Sequence, residues 1–229
     1  MTITLHYPDR KVLMAGLASL VADQLREAII AKDHATLAVP GGTTPAPFLN
    51  ALSTADLEWR KVTVMLTDER FVPETSDRSN TRLLRETLVQ NNAATAKLVA
   101  FYAAADRPED VLDQLVSNIA HALPIDVCVL GMGEDMHIAS IFPGADRLSE
   151  ALDSNGTAIL LPMRAPNAPE PRLTLTARVL RAAHHLHLLI TGPAKKAALE
   201  KAMSLTDLKD APVRILLDAA HPLHVHFAD

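Results

Sequence analysis

Residues 130–144, LGMGEDMHIASIFPG, place two acids and a histidine between glycines at the end of the apolar run IDVCVL. Asp135 and His137 are two positions apart, so an extended segment puts them on one side, and in a turn the carboxylate can fold back to orient the imidazole. An imidazole, with an unperturbed pKa of about 6.5, can act as a base at neutral pH, and a neighbouring carboxylate raises its basicity. A loop histidine that caps the following helix is the other reading of these residues.

A second candidate is VPGGTTP, residues 39–45, with two glycines and two hydroxyls between a strand and a helix. Gly41 and Gly42 let the backbone approach an anion, Thr43 and Thr44 can donate to it, and the helix start adds partial positive charge. The pattern is neither GxxxxGK[ST] nor GxGxxG, so a nucleotide is poorly supported. A plain strand-to-helix turn with glycines at positive φ fits equally well. In LTDERFVP, Arg70 at the carboxyl end of a strand can make a bidentate contact to phosphate, although a solvated charge run gives the same letters.

His184, His185 and His187, with His221, His224 and His226, form HxH pairs that zinc could use on a strand. No HExxH or cysteine partner accompanies them, and no metal is expected. The one cysteine, Cys128, lies in an apolar run, which leaves no disulfide framework and points to a reducing, cytoplasmic setting.

These groups must be held by elements, and the chain is rich in them. Residues 11–32 carry apolar side chains at helical spacing. TLAVP, VTVMLTDER, IDVCVLG, TAILLP, RLTLT, HLHLLIT, VRILL and LHVHF read as strands, and APFLNAL, SNTRLLRETLV, residues 108–123 and PAKKAALEKAMS read as helices. Ser79 or Asn80 caps the SNTRLLRETLV helix. Near-continuous apolar strands alternating with amphipathic helices predict an α/β fold, single-domain and Rossmann-like over residues 1–229, with a mostly parallel sheet and helices on both faces. Ligands in such folds bind beyond the carboxyl ends of the strands. The most linker-like segment, PMRAPNAPEPR (162–172), is too short to divide domains.

The chain has 229 residues, 48% of them hydrophobic, enough to bury a full core. Its 22 basic and 27 acidic residues give a net charge of -5, with no basic block longer than a pair, which argues against a nucleic-acid partner. No segment reaches the roughly 18 apolar residues of a membrane span, and no basic region precedes a long apolar stretch at the N-terminus.

Taken in order, VPGGTTP, LTDER, SN, GMGEDMHIASIFPG, RLTLT and TGPAKKAALE resemble the glucosamine-6-phosphate isomerase/6-phosphogluconolactonase family over nearly the whole chain. Asp68-Glu69-Arg70 is similar to the lactonase branch, where isomerases usually have Asp-Glu-Tyr. Phe142 stands where isomerases carry a second acid. Ile138 is the residue isomerases tend to carry, and Asp135-Met136-His137 replaces the commoner lactonase Asp-Gly-His. A methionine at 136 predicts a backbone conformation that does not require glycine, unless it is strained.

The resemblance implies hydrolysis of 6-phosphogluconolactone, a cyclic ester with a phosphate at its far end. It implies that Gly41, Gly42, Thr43, Thr44, Asn80, Arg172 and Lys195, with Arg70, hold the substrate and its phosphate. His137 then activates water, Asp135 orients it, and Arg70 can also lean toward the oxyanion. No cofactor, metal or covalent intermediate is needed. The expected partner is the small phosphosugar lactone alone, with the protein a monomer or weak homodimer. The alternatives are a glucosamine-6-phosphate deaminase/isomerase and a non-catalytic phosphosugar-binding domain.

Overall fold

The computed structural model describes residues 1–166 and 168–229. Seven parallel strands form the central sheet in the order β1 (Thr2–His6), β10 (Leu223–Ala228), β9 (His185–Thr191), β6 (Val127–Gly131), β2 (Ala35–Val39), β3 (Val62–Leu66) and β5 (Lys97–Val99). β2 is buried along its whole length, as a strand covered on both faces must be. The covering helices are α1 (Arg10–Lys32), α2 (Ala46–Ser53), α3 (Asn80–Thr87), α4 (Leu112–Ala120), α5 (Leu148–Leu152), α6 (Ala177–Arg181) and α7 (Pro193–Ser204). α1 begins where the Asp9 carboxylate accepts from the Val12 N–H at 2.8 Å, and it buries Leu13, Leu17, Val21 and Leu25 completely. One continuous cluster of buried apolar side chains joins helices and sheet. Among the described residues no helix is long and apolar enough to cross a membrane.

Strand order fixes where a ligand can sit. From β2 the chain steps outward to β3 and β5; from β6 it steps the other way to β9 and β10. The loops that leave β2 and β6 therefore diverge, and a crevice opens between them at the carboxyl edge of the sheet. VPGGTTP follows β2 and GMGEDMHIASIFPG follows β6, so topology alone brings the two loops together.

Several elements differ from the sequence reading. VTVMLTDER is not one strand: β3 ends at Leu66, and β4 (Asp68–Arg70) turns into a separate antiparallel sheet, β4-β8-β7, with β8 (Arg172–Leu175) and β7 (Leu160–Met163). VRILL lies in a 3-10 turn, Pro212–Leu216, because Pro212 starts a turn and short apolar runs suit turns as well as strands. The linker-like segment is the connection of the β7–β8 hairpin, with Pro162 and Met163 in β7 and Arg172 in β8. Its Asn167 lies outside the described residues. β1 and β5, edge strands of five and three residues, were not anticipated.

The HxH pairs lie on the α1 face of the sheet, where hydrogen bonds join His187 and His226 to neighbouring side chains while His224 Nδ1 is buried without a partner among the described residues. Fully buried His187 is hydrogen-bonded to Gln24 Oε1 at 2.8 Å and to His226 at 3.0 Å, and His226 meets the Tyr7 hydroxyl at 2.9 Å. Burial lowers the pKa of both rings, that of His226 to about 4, with His224 adding positive charge nearby. A depressed folded-state pKa stabilises the fold above the unfolded value of about 6.5 and loses that contribution as pH falls toward the folded value. His226 alone then removes about 2 kcal/mol between pH 7.5 and pH 5, and His187 adds to the loss. Urea unfolding at the two pH values checks this; equal stabilities would contradict it.

Candidate active site

The crevice is a cleft of about 390 Å³. The loop after β2 supplies Gly41, Gly42, Thr43 and Thr44; β4 supplies Asp68 and Arg70; α3 supplies Asn80. His137 and Phe142 come from the loop after β6, Arg172 from β8, and Lys195 from the first turn of α7. Asp135 is the one sequence-predicted residue behind the wall rather than on it.

The loop after β6 is tightly folded. Isolated bridges join Met132 to Ile138 and Ile138 to Ile141, and the Gly133 N–H donates to the His137 carbonyl at 3.0 Å. Asp135 Oδ1 accepts from His137 Nδ1 at 2.5 Å and from the His137 backbone N–H at 3.3 Å. The hydrogen bond to His137 holds the Asp135 pKa below the ordinary carboxylate value. An ionised carboxylate only accepts, so Nδ1 carries the proton and the lone pair of the neutral ring is on Nε2.

The loop glycines do different work from that suggested by their pattern. A Cβ at Gly133 would lie 2.3 Å from His137 Nδ1 and 2.4 Å from Asp135 Oδ1, so Gly133 makes room for the acid–imidazole pair. A Cβ at Gly41 would lie 2.1 Å from Asn80 Cγ, while Gly42 uses the positive φ open to glycine, 94°. Met136 meets the strained exception in that expectation: it is left-handed, with φ of 66°. Surrounding structure over-determines it, because the Met136 carbonyl accepts from the Val213 N–H at 3.0 Å and the side chain is 7% exposed.

Met136→Gly would relieve about 1–2 kcal/mol of left-handed strain. It would lose about 1.5–3 kcal/mol of side-chain burial and up to about 1 kcal/mol through the freer unfolded chain. Burial wins, so the variant is expected to be about 1 kcal/mol less stable by urea unfolding; a stabilised variant would contradict this balance.

The opposite wall is built on Glu69, which is fully buried. Its Oε1 accepts from the backbone N–H groups of Arg70 (2.7 Å) and Asn80 (2.8 Å). Oε2 accepts from the Thr81 N–H and hydroxyl (both 2.7 Å) and from the Ser79 hydroxyl (3.3 Å). Burial raises the Glu69 pKa, and these donors oppose the rise. Asn80 Nδ2 donates to the Asp68 carbonyl at 3.0 Å, and Arg70 Nη1 donates to Asn80 Oδ1 at 3.1 Å and to the Arg78 carbonyl at 2.8 Å. Asn80 thus orients Arg70, and Ser79 is the helix cap, accepting from the Arg82 N–H.

Arg172 is less satisfied. Its nearest acidic partner is Asp68, 4.0 Å away, its side chain is 12% exposed, and burial lowers its pKa. Among the described residues, the Nε atoms of Arg172 and Arg70 are buried without a hydrogen-bond partner. Asp68 is held by the Ser140 hydroxyl, which donates at 2.5 Å, and so ties β4 to the catalytic-loop candidate. Of the two lysines, Lys195 lines the cleft, whereas Lys196 lies over the Phe227 ring at 5.4 Å. α2 has no side-chain cap, which leaves its first N–H groups open beside Thr43 and Thr44. Three cations against one acid make this wall a receptor for an anion.

Sequence reasoning uses Asp68 and Glu69 only as a mark of the lactonase branch and gives neither them nor Ser140 a role in the site. Two adjacent acids ending an apolar strand were the available signal; their partners are remote in sequence. Cys128 is fully buried, its thiol pushed up to about 12, and it offers no nucleophile. Among the described residues no group of three or more His, Cys, Asp or Glu is placed to hold a metal ion.

A parallel α/β sheet with a carboxylate-held imidazole and a cationic wall at its switch point defines a class of protein that handles small anionic substrates. The family model described as glucosamine-6-phosphate isomerases/6-phosphogluconolactonase matches residues 8–225. A protein named 6-phosphogluconolactonase from Rhizobium meliloti (strain 1021) is 43% identical over 231 residues, covering 100% of both chains. One of the same name from Pseudomonas aeruginosa is 44% identical over 214 residues, covering 93% of this chain and 89% of the relative. The crystal structure of a 6-phosphogluconolactonase from Shewanella baltica OS155 superposes with a TM-score of 0.97 at 32% identity, covering 100% of this chain and 98% of that one. The chain belongs to the glucosamine-6-phosphate isomerase/6-phosphogluconolactonase family.

Proposed function

We propose that the protein hydrolyses 6-phospho-D-glucono-1,5-lactone to 6-phosphogluconate, in the oxidative pentose phosphate pathway, using water activated by His137. The observation that carries the mechanism is the pairing of Asp135 with His137 Nδ1 on a ring that lines the same cleft as Arg70, Arg172 and Lys195. Relatives bearing the lactonase name over full length support the substrate.

The chemistry follows from these positions. The substrate phosphate sits against Arg70, Arg172, Lys195 and the Gly41–Thr44 loop, which leaves the lactone carbonyl toward His137. Nε2 takes a proton from water as the oxygen adds to the carbonyl carbon, and the imidazolium is held by Asp135. Collapse of the tetrahedral oxyanion breaks the bond to the ring oxygen, which receives the proton back from Nε2. The product acid ionises in water. Phosphate binding remote from the carbonyl contributes positioning, and this easily hydrolysed ester needs only modest acceleration.

The whole of residues 1–229 acts as one domain, without a cofactor, as a monomer or weak homodimer in the cytoplasm. The ring of Phe142 against His137, where the isomerase pattern has an acid, favours lactone hydrolysis over release of ammonia from glucosamine 6-phosphate.

Arg70→Ala and Arg172→Ala each remove a charged contact worth about 1.5–3 kcal/mol, so KM for the phosphorylated lactone is expected to rise roughly 10- to 100-fold while kcat falls much less. Steady-state kinetics test this. An unchanged KM in both variants would sink the cationic wall as the phosphate anchor.

A further inference from the structure

Phe142 follows Ile141, whose N–H donates to the Ile138 carbonyl at 2.9 Å, and its own carbonyl accepts from the Ala145 N–H at 3.2 Å. Ile141 is fully buried, so the backbone on which the Phe142 ring stands is fixed from both sides. That half-buried ring lines the cleft and touches two residues of the proposed chemistry. Its centroid is 4.2 Å from that of the His137 imidazole, with 39° between the planes, and the Arg172 guanidinium carbon lies 5.8 Å from it.

We propose that Phe142 is the positioning residue of the site, its aromatic ring holding the His137 imidazole and the Arg172 guanidinium in one fixed relation. The inference rests on the reading of His137 as base and Arg172 as anchor. Asp135 fixes one edge of the imidazole but leaves the ring free to tilt about that hydrogen bond. Gly133 lets the Nδ1–Cε1 edge of the ring pack against backbone, with no side chain there to grip the ring. The Phe142 ring supplies the missing restraint, packed against the imidazole at 4.2 Å between centroids with its plane tilted by 39°. A ring's electron-rich face also attracts cations, which draws Arg172 toward it and favours the imidazolium formed when His137 takes a proton from water. An aliphatic side chain of similar volume fills the space without either effect.

The test compares Phe142→Leu with Phe142→Tyr on the phosphorylated lactone, using variants whose thermal unfolding matches that of the parent. Phe142→Leu is expected to lower kcat roughly 3- to 30-fold with a smaller rise in KM, and to move the acid limb of the kcat/KM profile to lower pH. Phe142→Tyr, which keeps the ring, is expected to restore kcat and the profile. A leucine variant with parental kcat and profile would overturn the proposal, and so would a tyrosine variant as impaired as the leucine one. NMR of the unsubstituted protein gives a check that needs no variant: His137 ring protons are expected to be shifted by the Phe142 ring current, and ordinary shifts would also overturn it. If His137→Ala keeps full activity, the base assignment itself fails. If His137→Ala is inactive and Phe142→Leu is not, only the positioning role fails.

Discussion

His137→Ala is expected to lower kcat for the phosphorylated lactone by about 10² to 10⁴-fold, the usual worth of a positioned general base, while affinity for 6-phosphogluconate changes little. The two effects separate because the imidazole stands on the loop after β6, whereas the cations stand on β4, β8 and α7. The Asp135 carboxylate, half-exposed in the folded protein, keeps water as an alternative partner once the imidazole is gone, so the variant is expected to fold. Activity and isothermal titration with the product on one preparation check both halves. Full turnover by His137→Ala would remove the base from the mechanism.

Gly133→Ala is expected to cost nearly as much activity through a single methyl group. The added Cβ would overlap His137 Nδ1 at 2.3 Å, Cε1 at 2.4 Å and Asp135 Oδ1 at 2.4 Å, all far inside contact distance. No positive φ is required at this position, so the backbone accepts alanine, and the clash is relieved by displacing the acid–imidazole pair. A misplacement of about 1 Å at reacting groups can lose about 10²-fold, so kcat is expected to fall by at least that much with KM nearly unchanged. Kinetics with circular dichroism to confirm folding decide it; a variant with parental kcat would show that the pair tolerates the methyl group.

Much of the architecture was legible from periodicity. The strands at β2, β6, β9 and β10 and the helices α1, α2, α3 and α7 follow from apolar spacing, since burial on one or both faces leaves that mark in the sequence. The break at Thr67 leaves none: VTVMLTDER reads as one strand, and only pairing with β8, about a hundred residues away, draws Asp68–Arg70 into a second sheet. β1, an edge strand with no fully buried residue, lacks the continuous apolar mark of β2 and depends on β10 at the other end of the chain.

The site divides in the same way. The spacing of Asp135 and His137 suffices for the acid–imidazole pair, and the VPGGTTP loop carries its own composition. Arg172 and Lys195 have no local signal and were reached only through family resemblance. The use of Gly133 as space for an imidazole, and of Glu69 as a buried acceptor for three backbone N–H groups, requires coordinates. Met136 shows local preference overruled: a residue that disfavours positive φ adopts it because its carbonyl and side chain are both held.

The most direct measurement is hydrolysis of freshly prepared 6-phospho-D-glucono-1,5-lactone by the purified protein, followed as acid release beside the same lactone without phosphate. The arrangement of three cations opposite a carboxylate-held histidine predicts a kcat/KM at least about 10²-fold higher for the phosphorylated lactone, equivalent to about 3 kcal/mol of anchoring. Equal rates on the two lactones, or no hydrolysis above the spontaneous rate, would contradict it.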